Sequence, residues 1–127
     1  MNISEKLHNK YQQECQQLLN GQTGILAVVI ASADGFDIAS AVTKSLVPAR
    51  IAAMASSISA IGTVVSQEVS LGNSKSVTVN TEKGFTYITH LELEGKSCIL
   101  NVVADDSAVL AQIIYQCSEI GKRLNNT

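Results

Sequence analysis

Apolar and polar positions alternate along this chain in two rhythms, one with a period near 3.6 and one with a period of 2. Ile3, Leu7, Tyr11, Cys15, Leu18 and Leu19 recur at helical spacing with Glu5, Lys6, Lys10, Gln13 and Gln16 outside them. That predicts an amphipathic helix ending at Asn20-Gly21. The run from Gly24 through ILAVVIAS is continuously apolar and rich in branched residues, as in a strand covered on both faces. Ala33-Asp34-Gly35 supplies a hairpin turn, and FDIASAV after it alternates weakly, as a strand nearer an edge does.

The longest helical pattern follows, from Pro48 to Val69, with proline in the first turn where it is best tolerated. A stripe of Ile51, Met54, Ile58, Ile61, Gly62, Val65 and Val69 is expected to face a sheet. Ala52, Ser56, Ser59, Thr63 and Gln67 form a small polar face, and Ala53, Ser57, Ala60 and Val64 a small, mostly apolar one. No charge occurs between Arg50 and Glu68. A solvated helix spends its outer face on charges, so these small residues point to close approach by another protein surface, with burial inside one domain as the competing reading. The charge-free run is shorter than the ~20 residues a membrane span needs, and it is rich in Ser.

After a stop at Leu71-Gly72-Asn73, Ser74 to Thr81 alternates strictly, with Val77 and Val79 on one face. This is an edge strand by pattern, ending at the turn Glu82-Lys83-Gly84. Phe85 to Leu93 and Lys96 to Ala104 form the next two strands around Glu94-Gly95, the second apolar on both faces. Asp105-Asp106-Ser107 offers caps for a last helix with the stripe Val109, Leu110, Ile113, Ile114, Cys117, Ile120 and Leu124. The order is α-β-β-α-β-β-β-α. Hairpins pair consecutive strands, and the two strands apolar on both faces each need two neighbours, so joining them gives a five-stranded antiparallel sheet in the order 2-1-5-4-3. The first and last helices share one face; the central helix alone cannot cover five strands on the other, and a second copy would complete the cover.

Composition narrows the function. The 127 residues fit a single domain spanning 1–127. With 46% hydrophobic residues, 16% charged and a net charge of −2, the chain is no disordered segment, and its low surface charge favours a homodimer. Nine scattered Lys and Arg form no basic run, which excludes an electrostatic footprint for nucleic acid. The N-terminus lacks an apolar core segment, so neither a secretory signal nor membrane insertion is expected and the expected compartment is the cytoplasm. Cys15, Cys98 and Cys117 are odd in number and sit in apolar patterns, which reads as three reduced structural thiols.

Candidate chemistry is sparse. Gly72-Asn73-Ser74-Lys75-Ser76 has the wrong spacing for a phosphate loop and reads as a turn. His8 and His90 lie on polar sides of their elements, with no companion for metal or acid–base work. Asp105 and Asp106 read as a helix cap rather than a carboxylate pair. Arg50 is either a first-turn surface arginine or a finger for a GTPase transition state. No catalytic set, metal site or cofactor is expected, and the chain is read as a non-enzyme.

Together, GILAVVIASADGFDIAS, IAAMASSISAIG, VTVNTEKGFTYI and LNVVADDSAVLAQII resemble the Roadblock/dynein light chain family, from about Gly24 to Leu124. The resemblance implies a profilin-like α/β sandwich whose central helices pair and whose third strands add edge to edge, in homodimers or with a paralogous Roadblock protein. It implies regulators or scaffolds of small Ras-like GTPases, among them a bacterial GTPase activator, and this compact chain is similar to the bacterial stand-alone form. On that reading Ala53, Ser57, Ala60, Val64, Val77 and Val79 form the dimer interface, and Ser56, Ser59, Thr63 and Gln67 dock the GTPase. The alternative is a sensor using the same sandwich to bind a small ligand, which would need convergent polar groups in a pocket.

Overall fold

The computed structural model describes residues 4–43 and 45–125. In chain order the elements are α1 (Glu5–Gly21), β1 (Ile25–Ser32), β2 (Asp37–Val42), α2 (Pro48–Glu68), β3 (Ser76–Thr81), β4 (Gly84–Leu93), β5 (Lys96–Asp105) and α3 (Leu110–Asn125). The strands form one antiparallel sheet in the order β2-β1-β5-β4-β3, as the apolar patterns predict. The centre belongs to β1 and β5 because both carry apolar residues on both faces. Their register pairs Val28 with Val102 and Ile30 with Leu100.

Those four side chains face α1 and α3, where Tyr11, Cys15 and Leu18 from α1 and Ile113, Cys117, Ile120 and Leu124 from α3 complete the larger core. Fully burying each large member of such a core contributes ~1.5–3 kcal/mol, which is what holds two separate helices on one face. Ser4 caps α1 by accepting from the Leu7 amide at 3.3 Å. Ile3, assigned to the α1 stripe, lies outside the described residues. Glu14, which no apolar pattern singled out, is buried and receives Arg123 Nε at 2.8 Å and its second nitrogen at 3.0 Å, a two-pronged ion pair that locks α1 to α3. Where the chain enters β1, Gly24 has φ +85°, and a Cβ there would sit 2.6 Å from Asp105 Oδ1 and Ser107 Oγ. Only glycine lets that entry pass beneath the turn leading to α3.

The second face carries α2 and a smaller core of Ala27, Val29, Ala31, Ile88 and Ile99 under Ile51, Ala52 and Ala55. Here the helical-stripe expectation is corrected. Of the stripe, Ile51 is buried and Ile58 and Gly62 half-buried, but Met54, Ile61, Val65 and Val69 are exposed, and the inward row is Ile51, Ala52, Ala55 and Ser59. At Gly62 an added Cβ would lie 2.7 Å from Val77 Cγ2, so the later turns of the helix sit too close to β3 for a side chain there. Large residues beneath the helix are confined to Ile51 and the half-buried Ile58, with small residues between them. The helix also ends earlier than Leu71-Gly72 suggests: Ser70 takes the left-handed conformation at φ 57°, and the Leu71 amide donates to Ser66 O at 2.9 Å. In α3 the stripe is likewise trimmed at its edge, where Val109 and Ile114 are exposed.

Candidate interaction surface

The outward side of α2 is apolar. Met54, Ile61, Val64 and Val65 are 57%, 63%, 64% and 56% exposed. Ala53, Ser57 and Ala60 lie exposed among them, so the four small residues expected at a pairing face all stand outward, flanked by large residues that helical spacing assigns to the sheet-facing stripe. The signal that could have found this is the row Ala52, Ala55, Ser59 and Gly62, which a helix needs on its sheet side to approach closely. Apolar patches of this kind on a small domain mark contact surfaces.

The edge strand lies beside this face. Val77 packs toward α2 at Gly62, while Val79 is exposed on the same side of β3. β3 pairs only with β4, leaving its outer backbone groups unpaired within the sheet.

The small polar row is divided by the fold. Ser59 is only 7% exposed and faces the sheet, so it is removed from any surface that one copy presents, because the close approach of α2 demands a small residue there. Thr63 is half-buried, its hydroxyl donating to Ser59 O at 3.2 Å. Ser56 donates to Ala33 O at 2.7 Å and ties the β1–β2 turn to the helix. Gln67 is exposed. That turn is itself ordered: Ser32 Oγ donates to Asp34 at 2.6 Å and accepts from the Phe36 amide at 3.1 Å. The Ser32 hydroxyl holds the Asp34 carboxyl below the usual carboxylate range. Phe36, next to a Gly35 that lies against Ala53 and Ser56, is 69% exposed and was not picked out by the sequence pattern.

The remaining candidates stay apart. His8 and His90 are exposed on α1 and β4, Arg50 is exposed in the first turn of α2, and no group of three or more His, Cys, Asp or Glu placed to hold a metal occurs among the described residues. Asp105 Oδ1 accepts from the Ser107 amide at 2.9 Å and its hydroxyl at 2.5 Å, ordering the turn into α3. All three cysteines are free and buried; burial pushes the Cys15 and Cys117 thiols up to about 12 and raises Cys98 as well. By length and composition alone α2 passes for a membrane-crossing helix, although its charge-free run is shorter than a span needs. Its inward row is packed on the sheet instead.

A five-stranded antiparallel sheet with two helices on one face and a single outwardly apolar helix on the other is the α/β sandwich of Roadblock domains. The family model for the Roadblock/LC7 domain matches residues 11–104, and the chain belongs to that family. No curated protein matches it by sequence. Among solved structures it is similar to a Roadblock/LC7 domain from Streptomyces avermitilis, at 19% identity and TM-score 0.80 over 91% of this chain and 94% of that one. It is also similar to Myxococcus xanthus MglB, at 16% identity and TM-score 0.84 over 99% and 92%. An MglB with a tetrameric arrangement gives 13% and 0.83 over 96% and 90%.

Proposed function

We propose that this chain is a dimeric regulatory or scaffold protein that binds a small Ras-like GTPase in the cytoplasm. The observation that carries the reading is the outward apolar face of α2 beside the free edge of β3. A second copy, or a paralogous Roadblock protein, would bury Ala53, Ser57, Ala60, Val64 and the flanking Met54, Ile61 and Val65, and would continue the sheet through Val77 and Val79. The solved MglB with a tetrameric arrangement lends support to self-association in this fold.

The GTPase is assigned to the flank of α2 that carries Ser56, Thr63 and Gln67, together with Phe36 at the adjoining turn. Ser59 supports that flank from beneath. A shelf of hydroxyl and amide groups with one exposed aromatic, bordered at the turn by Asp34 and Asp37, acts by preferring one conformation of a partner's switch loops, which shifts its population by the difference in affinity. The test is a pull-down from the native cytoplasm read by mass spectrometry, followed by binding of the captured GTPase to the Thr63→Arg and Phe36→Ala variants. Capture of a Ras-like GTPase that both variants lose while remaining dimeric supports the reading. Full binding by both variants would move the docking surface elsewhere. Arg50→Ala should leave any stimulation of hydrolysis intact, since the arginine is read as a surface residue.

A further inference from the structure

α1 and α3 do not roof the whole of their face. α3 packs along β4, and between it and β3 runs an open groove of about 530 Å³. Tyr87 and Thr89 of β4 line it on the sheet side, Ser118, Lys122 and Asn125 on the helix side, and Lys75 lies at its β3 end. Two cations and several hydroxyls line it, yet no Asp or Glu does, in a chain whose net charge is −2. Lys75 is fixed in place through its backbone, because Thr89 Oγ1 donates to the Lys75 carbonyl at 3.1 Å. Lys122 has a neighbour in Glu119 at 3.2 Å, one helical turn away; the lysine is exposed and the glutamate partly covered, and salt weakens the pair from the lysine's side.

We propose that this groove docks an extended, acidic peptide segment of a partner protein. Charge complementarity selects the sign: no acid lines the groove, so a peptide carboxylate near Lys75 meets a cation, and one near Lys122 competes with Glu119. Size selects the conformation: a groove of about 530 Å³ seats only a short stretch of chain, and a helix that short is marginal in water, so the segment lies extended. The Ser118 hydroxyl and the Asn125 amide then serve the peptide backbone, with Thr89 Oγ1 left as an acceptor. The groove lies on the face opposite α2, away from the flank assigned to the GTPase, and its β3 end adjoins the strand edge along which a second copy would add.

The full chain, labelled with 15N, is titrated with a capped octapeptide of alternating Glu and Val, and with an alternating Lys and Val peptide. The expected result is amide shifts confined to the neighbourhood of Lys75, Thr89, Ser118 and Lys122 for the acidic peptide alone, weakening with added salt. The double variant Lys75→Glu/Lys122→Glu should weaken binding by about tenfold or more, and Ser118→Tyr should weaken it by filling the groove without changing charge. Unchanged circular dichroism keeps both variants interpretable. Absence of shifts, shifts on another face, or native affinity in both variants would overturn the proposal. So would inorganic phosphate giving the same shifts and displacing the peptide, which would make the groove a small-anion site.

Discussion

Val64→Glu tests the pairing face directly. Val64 is 64% exposed in one copy, so a glutamate there costs the isolated fold almost nothing and α2 should form as before. In a dimer the position is central to the outward apolar face. Fully burying a valine side chain is worth roughly 1.5–3 kcal/mol, so covering the exposed two thirds returns about 1–2 kcal/mol per copy. The glutamate forfeits that and adds an unpaired, desolvated carboxylate, at least about 1–3 kcal/mol. Both copies carry the change, so the dimer loses about 4 kcal/mol or more. At ~1.4 kcal/mol per factor of ten, the dissociation constant should rise roughly a thousandfold. Sedimentation equilibrium of the native chain should show twice the chain mass at micromolar concentration, and the variant should show the chain mass with unchanged circular dichroism. A native monomer, or a variant as dimeric as the native chain, would refute the assignment of this face.

Three further outcomes follow from particular contacts. Arg123→Ala strands the buried Glu14 carboxylate, and because the arginine itself is half exposed the expected loss is about 1–3 kcal/mol by urea denaturation, with the paired change Glu14→Leu/Arg123→Leu closer to native than the single one. Asp34 titrates low because Ser32 donates to it, so the stability it contributes is present above its unfolded value and fades as pH falls through the folded one; Ser32→Ala should move the carboxyl carbon's NMR titration midpoint upward, and an unmoved midpoint would contradict the hydrogen bond. With Cys15 and Cys117 pushed to about 12 and Cys98 raised as well, a thiol reagent at pH 8 should find no fast-reacting cysteine until urea is added, and a fast equivalent in the native protein would show that one of them is not enclosed.

Much of the architecture is written in local patterns. The alternation at Val77 and Val79, the two-sided apolar runs of β1 and β5, the turn residues at Asp34-Gly35 and Glu94-Gly95, and the stripe Tyr11, Cys15, Leu18 each act over a few residues. Because a strand apolar on both faces must have two neighbours, those runs also set the order β2-β1-β5-β4-β3.

What the sequence could not decide was how α2 is rotated. Apolar residues lie on nearly every side of it, so periodicity offers no unique inward face, and the choice falls to the gap between helix and sheet. Close contact with Val77 at Gly62 fixes that gap at the later turns, and the packed helix has Ile51, Ala52, Ala55 and Ser59 inward with Met54, Ile61 and Val65 outside. The Glu14–Arg123 pair and the basic groove beside α3 have the same origin. They join residues far apart in the chain, and no local pattern records which side chains a sheet will bring together.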